Sequence, residues 1–448
     1  MKVIITGAGA IGAHLADLFS KVKQDIIIID DDEQKLERIQ AECDLMTIHS
    51  SYTTPVKALK DAQAESADLF IAVTHDEHLN LSLCTLAKSM GARKTVAKVE
   101  NPELTTPWVI NSFRAAGITC IIDPDNLAAI DIIKGLEINW ARQRWEVHDG
   151  ALTLLGVKII SECRILNQPF KETFKPNSPF HVVAIKRGSS TIIPTGDDFL
   201  LPEDYVYFTT TKSFIPDLRH IMGKDDYPAV KNIIIIGGGK TAVRVASMLP
   251  DGIKAKIFER DPHRCEELIE LVDTSQVMII NADGRSAANL LEENIKGSQA
   301  FIALTGNAEA NILACLTAKE LGVNKTIAMI ENMDYLGIAR SVDIDTIINK
   351  QALTASHIYQ LLLHGDVRNI RNLLTVNADV AEFTARPGSP ITRKRVKELG
   401  FPREAELGGL VREGKGMLVN GETIIQAGDI VMVFSHGADI SKIEKYFL

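Results

Sequence analysis

No apolar run in this chain approaches the roughly 18 residues that a membrane-spanning helix needs. The opening, MKVIITGAG, enters a strand pattern at once, where a leader would show a charged stub and an apolar stretch, so no signal peptide is expected. Positive charge is in the minority: 49 Lys and Arg face 58 Asp and Glu, a formal net charge of −9. Without a basic stripe or a basic helix-turn-helix, nucleic acid is excluded as a partner. Cysteine is sparse; the six (Cys43, Cys84, Cys120, Cys163, Cys265, Cys315) lie far apart with no C-x-x-C pair. That spacing predicts reduced, buried thiols, not a disulfide framework or a metal site. Histidines are scattered, and His148, His181 and His220 form no acid–base constellation of the kind an oxidoreductase would set against a nicotinamide ring. We therefore expect a soluble cytoplasmic protein with no catalytic residues and no metal ligands.

What the chain does have is repetition. With a hydrophobic fraction of 46% and a charged fraction of 24%, its 448 residues can support several globular cores. VIITGAGAIG (Val3–Gly12) aligns with IIIIGGGKTA (Ile233–Ala242), and DLFIAVTHDEHLNLSLCTLAKSMGA, from Asp68, aligns with QAFIALTGNAEANILACLTAKELGV, from Gln299. TVAKVENPEL, from Thr95, matches TIAMIENMDYL, from Thr326, all at a shift of about 230 positions. Further on, PTGDDFLLPEDYVYF, from Pro194, matches VNGETIIQAGDIVMVF, from Val419, pairing Asp204 with Asp429. The chain is a tandem duplication in which a large lobe precedes a small, strand-rich α+β lobe in each half. The expected segments are 1–123, a linker helix at 124–142, a small lobe at 143–227, then 230–348, a linker helix at 349–370, and 371–448. The helical patterns run from Asn126 to Arg142 and from Gln351 to Leu374. Each either packs on its own lobe or offers an apolar seam to a neighbour.

The large lobes carry the chemistry. After the strand Val3–Thr6 comes Gly7-Ala8-Gly9-Ala10-Ile11-Gly12, then an amphipathic helix, then a second buried strand ending in Asp30. In that context G-x-G-x-x-G is a dinucleotide turn: tight at the first glycine, open to a pyrophosphate at the second, close-packed at the third. The helix start offers free N–H groups to phosphate, and Asp30 can accept the ribose hydroxyls while repelling a 2′-phosphate, which favours NAD over NADP. IIIIGGGKTA ends like a mononucleotide phosphate loop, but that loop needs a glycine at position 234, where isoleucine stands inside the strand. It reads instead as a second turn of the first kind, with Gly237, Gly238, Gly239, Lys240, Thr241 and, as the ribose acid, Glu259. Thr74 and His75 follow the strand LFIAV, at the edge where open parallel sheets hold ligands, although Thr74 is also a plausible helix cap. Lys98 can reach a phosphate or stack on adenine; its counterpart is Met329, so the two sites are not chemically equivalent.

Together GAGAIG with Asp30, AVTHDEHLN, ALTGNAEANILACLTAKELG and the DDFLLPED and ETIIQAGD turns resemble, over essentially the whole chain, the TrkA family. Its members are regulatory subunits of bacterial Trk potassium-uptake systems and carry two tandem RCK units. The resemblance implies two Rossmann-like, doubly wound parallel N-lobes, each followed by a small α+β RCK C-lobe. It also implies binding of NAD or NADH, or of ATP or ADP, in the N-lobes, by the residues of the two turns together with Asp30, Val73, Thr74, Lys98, Glu259 and Thr305. The partners implied are a membrane-embedded transporter of the TrkH or TrkG type and other copies of the chain. Four copies would supply a ring of eight RCK units on the cytoplasmic face of the membrane. Two departures stand out. HSSYT (His49–Thr53) stands where the family often has glycine and an acid or amide, as in NADGRS (Asn281–Ser286), and Lys98 replaces an arginine. The alternatives are an NAD-dependent oxidoreductase and an RCK regulator of another potassium channel.

Overall fold

The computed structural model describes all residues except 22–23, 52–53, 149, 176–177, 189, 363–366, 374–377 and 437–439. Runs such as KVIIT and DIIIID are apolar on both faces, as strands covered by helices on two sides must be. They form β1 (Lys2–Thr6) and β2 (Asp25–Asp30). With β3 (Met46–His49), β4 (Leu69–Ala72), β5 (Lys94–Lys98) and β6 (Cys120–Ile122) they build an all-parallel sheet in the order β3-β2-β1-β4-β5-β6. The order reverses between β1 and β4, which places a crevice beyond their carboxyl ends. Two helices frame it, α1 (Ala10–Lys21) and α2 (Glu77–Met90). A further helix, α3 (Pro124–Glu137), leaves the sheet.

The first small lobe is an antiparallel sheet of β7 (Gln143–Val147), β8 (Leu152–Lys158), β9 (His181–Arg187), β10 (Ser190–Ile192) and β11 (Tyr205–Thr210), ordered β10-β9-β11-β8-β7. The second half repeats both architectures. β12 (Asn232–Ile236), β13 (Lys254–Glu259), β14 (Val277–Asn281), β15 (Ala300–Ala303), β16 (Lys325–Met329) and β17 (Thr346–Ile348) form a parallel sheet ordered β14-β13-β12-β15-β16-β17. It carries α4 (Lys240–Ser247), α5 (Ala308–Glu320) and α6 (Lys350–Leu362). The last sheet, β18 (Val367–Leu373), β19 (Ala378–Thr384), β20 (Ala405–Arg412), β21 (Lys415–Met417) and β22 (Ile430–Ser435), is antiparallel and ordered β18-β19-β22-β20-β21. No helix among the described residues is long and apolar enough to cross a membrane.

The helix expected over Gln351–Leu374 is shorter than its pattern. It ends at Leu362, and Val367–Leu373 is β18, paired with β19; residues 363–366 lie outside the described set. Val367, Ile370 and Leu373 are spaced as on a helix face, but the ladder to β19 overrides that spacing.

The chain divides into two compact units, Met1–Ala128 with Lys350–Leu362, and Ala129–Asn349 with Leu363–Leu448. In the first, α6 lies on α1 with the Phe19 and Tyr359 rings stacked at 5.8 Å and 25°. Lys350 Nζ pairs with Asp125 at 3.2 Å, and the Lys94 ammonium donates to the Leu361 carbonyl. The helix thus serves as an apolar seam for the first large lobe, the second of the two readings above.

In the second unit the two small lobes share one core. Trp145, Leu154 and Tyr207 pack with Val380, Met432 and Phe434, and a Cβ at Gly416 would lie 2.0 Å from the Ala151 carbonyl oxygen, so the lobes need glycine there. Within each lobe a buried aspartate closes the strand-entry turn. Arg187 grips Asp204 at 2.9 and 2.7 Å, and Arg412 grips Asp429 at 2.9 and 2.6 Å. Both acids are therefore structural. The large lobe of this unit meets the preceding linker and β8 through charge: Arg142 pairs with Asp343 and Asp345, Lys158 reaches Asp343 at 2.9 Å, where Lys319 of the large lobe also binds, and Lys325 Nζ donates to the Ala141 carbonyl at 2.6 Å.

Candidate nucleotide-binding crevices

Each large lobe builds the same constellation at its switch point. Gly7 adopts φ +106° and Gly237 φ +91°, the left-handed region that favours glycine. A Cβ at Gly12 would stand 1.8 Å from the Gly7 carbonyl oxygen, so the start of α1 can sit on the turn only because side-chain volume is missing there. Gly9 and Gly239 have no atom within 4 Å of where a Cβ would be. That is the open approach a pyrophosphate needs, beside the exposed N–H groups at the start of α1 and α4.

The acids at the ends of β2 and β13 do more than the sequence reading gave them. Asp30 is buried, and its Oδ2 accepts Ala8 N–H at 2.5 Å while Oδ1 accepts Asp32 N–H at 2.9 Å. Glu259, one methylene longer, takes the same role: Oε2 accepts Gly238 N–H at 2.8 Å, and Oε1 accepts Arg260 and Asp261 N–H at 2.6 and 2.9 Å. Each acid clamps its own glycine turn to the neighbouring strand. A ribose hydroxyl would use the lone pairs that remain.

Thr74 and Thr305 belong to a second conserved-by-repeat arrangement. Thr74 N–H and Oγ1–H both donate to Asn80 Oδ1, at 3.0 and 2.7 Å, and Asn80 Nδ2 donates to the Thr74 and Lys98 carbonyls at 3.2 and 3.0 Å. Thr305 and Asn311 reproduce this set, ending on the Met329 carbonyl at 2.8 Å. The fully buried asparagines therefore tie the end of β4 to β5, and of β15 to β16. The cap reading of Thr74 needs correction: Asp76 is the N-cap of α2, accepting from His78 and Leu79 N–H, because its carboxylate stands one residue before the first turn. Lys98 is held by Glu100 at 2.8 Å. In the second half Thr241 Oγ1 lies 3.9 Å from Met329 Sδ, so this strand end meets the start of the turn helix there. Val73 is buried beneath the first turn, Ala10 and Lys240 are exposed at the helix starts, and Ile11 is half-buried.

The second crevice measures about 480 Å³ and is lined by Gly237–Gly239, Glu259, Leu304 and Thr305, together with residues the motif did not name: Arg260, Asp283, Gly284, Arg285 and Asn307. Arg285 holds Asp283 in a fork at 2.7 and 3.0 Å, and that bond lowers the Asp283 carboxyl to about 2. Tyr52 and Thr53, which face Gly284 and Arg285 in the alignment, lie outside the described residues. His181 and His220 are engaged with Glu406 and Asp225, at 2.9 and 3.0 Å, and His148 sits in a turn with φ +47°. No three metal-ligating side chains gather among the described residues.

The TrkA-N domain model matches residues 3–124 and again 233–350, and the TrkA-C domain model matches 380–448. The chain belongs to the TrkA family. Similar curated members include the Trk system potassium uptake protein TrkA of Halomonas elongata, 27% identical over 97% of this chain and 95% of that one. The TrkA of Haemophilus influenzae is 28% identical over 100% and 98%, and the TrkA homolog of Archaeoglobus fulgidus 28% over the full length of both. Among solved structures, the GsuK RCK domain superposes with a TM-score of 0.60 at 15% identity, covering 100% of this chain and 94% of that one. The GsuK channel bound to NAD superposes with 0.61 at 15%, covering 100% and 78%. The fold of the TrkA family chain is thus the RCK fold, written twice.

Proposed function

We propose that this chain is the nucleotide-sensing regulatory subunit of a Trk-type potassium uptake system. The observation that carries the reading is the pair of glycine turns, each clamped by an acid and each open at its second glycine, in a TrkA family chain. In the first crevice Gly7, Ala8, Gly9, Ala10, Ile11 and Gly12 would receive the phosphates, Asp30 the ribose, and Val73, Thr74 and Lys98 would line the far side. In the second, Gly237, Gly238, Gly239, Lys240 and Thr241 would receive phosphates, Glu259 the ribose, and Thr305 the opposite wall. NAD(H) and ATP or ADP are the ligands, as GsuK structures solved with NAD and with ADP also suggest for this fold. The chain works by binding, not by turnover. It sits on the cytoplasmic face of the membrane through a TrkH- or TrkG-type transporter, as a tetrameric ring.

Ligand acts by differential affinity: a nucleotide shifts the ring only as far as it binds one shape better than the other. Coupling of about 1–3 kcal/mol per site would change transport several-fold to about a hundredfold. Asp30→Ala and Glu259→Ala test the reading. Each should weaken NADH or ATP binding by about tenfold or more, since hydrogen bonds to a charged group are lost, and should flatten the nucleotide response of potassium flux in vesicles holding transporter and ring. A full response from the folded double variant, or sustained NADH oxidation, would overturn it. Co-purification with a channel in place of a Trk transporter would reassign the partner.

A further inference from the structure

The repeat allows the walls of the two crevices to be compared position by position. Arg260 lines the second crevice directly after the clamp acid; Asp31 holds that place in the first. Lys240 opens α4 where Ala10 opens α1, and Asn307 stands where Asp76 does. The Asp283–Arg285 pair matches Ser51 and Thr53. The wall of the second crevice therefore carries Arg260 and Arg285 against Glu259 and Asp283. At the same positions the first has Asp30, Asp31 and Asp76 with no lysine or arginine. Lys98, at the end of β5, is already held by Glu100. The Arg260 guanidinium, by contrast, is exposed and enters no ion pair or hydrogen bond among the described residues, although its main-chain N–H is used by Glu259.

We propose that the two crevices divide the ligands: the second takes adenine nucleotides with a free terminal phosphate, ADP and ATP, and the first takes the dinucleotide NAD(H). This rests on reading both crevices as nucleotide sensors. Each phosphate of NAD is substituted twice, by a ribose ester and by the shared anhydride bridge, so the pair carries one charge per phosphorus and needs little more than the N–H groups of the turn and helix start. A terminal phosphate brings further negative charge, which low-dielectric walls of one sign attract or repel strongly. The acids at the matching positions of the first half, Asp30 and Asp31 above all, disfavour it; Arg260 and Arg285 in the wall of the second crevice favour it, and arginine offers a fork matched to phosphate. Because the selecting side chains are at the surface, the discrimination should fade as salt is added.

The full-length protein should be titrated calorimetrically with ADP, ATP and NADH at low and at high salt, alone and as Arg260→Asp and Asp31→Arg. Arg260→Asp should lower ADP and ATP affinity by about tenfold or more at low salt, as expected for loss of a charge-assisted contact, with NADH binding as in wild type. Asp31→Arg should add an ADP-binding equivalent in the first crevice. ADP and NADH isotherms that neither substitution moves would overturn the division of ligands while leaving the sensor reading intact. No binding of ADP, ATP or NADH by the folded wild-type chain would overturn both.

Discussion

At the scale of single residues the two turns show how little side-chain volume decides. Gly12 lies where a Cβ would collide with the Gly7 carbonyl, yet its counterpart Ala242 is a fully buried alanine. Both turn helices start at matching residues, Ala10 and Lys240, so the second turn tolerates G-x-G-x-x-A where the first has no room for a Cβ. Gly12→Ala should push α1 off its turn, destabilising the protein by about 1–3 kcal/mol, the usual cost of overpacking. NADH binding in the first crevice should fall with it. Ala242→Gly should cost only about 0.5–1 kcal/mol, from added backbone freedom in a helix, and leave the second crevice able to bind. Urea unfolding and nucleotide titration of both variants check this, and equal effects would show that the third position does not set the helix start.

At the scale of elements, the helix that follows each parallel sheet is the part whose destination matters most. α6 belongs to the second half in sequence but to the first compact unit in space, where Tyr359 stacks on Phe19 of the turn helix α1. Removing the ring leaves a cavity against α1, so Tyr359→Ala should destabilise the first unit by about 2–4 kcal/mol. Hydrogen exchange should rise in α1 above all; unchanged protection of α1 would mean that α6 does not brace it. The glycine turns and the acids that end the second strands were legible because each is a local pattern fixed by backbone sterics and by strands apolar on both faces. The destination of α6 was not legible, since an apolar helix face does not name what covers it. Nor was the strand at Val367–Leu373, where pairing with β19 outweighs a helical spacing, or the clamping of the turns by Asp30 and Glu259, whose position suggested a ligand and not the protein's own N–H groups.

At the scale of the whole molecule, duplication lets one half keep a role while the other changes, and the second unit places an unusual concentration of charge where its large lobe meets the linker before the small lobe. Lys325 is fully buried with its ammonium on the Ala141 carbonyl; Lys224 is nearly so, against Tyr227. Burial pushes both amines from the ordinary 10.5 down to about 8; Asp345 resists this, while Arg142 and Lys319 reinforce it. The same cations hold Asp343 well below the usual carboxylate range, although partial desolvation opposes them. Between about pH 8 and 10.5 the unfolded chain then binds protons that the folded one does not, so stability rises with pH across that window, and below it the cost of the buried charge is in full force. Replacing a buried charge with an apolar chain of similar length is often stabilising by about 1–4 kcal/mol. Lys325→Met leaves the Ala141 carbonyl without its donor, so a gain of about 1–3 kcal/mol at pH 7 is expected. The variant should also lose much of the alkaline rise. Urea midpoints of wild type and variant at pH 7, 8, 9 and 10 decide the matter: parallel curves would mean that Lys325 keeps its ordinary proton affinity, and that the junction is held by the Arg142, Lys158 and Lys319 pairs alone.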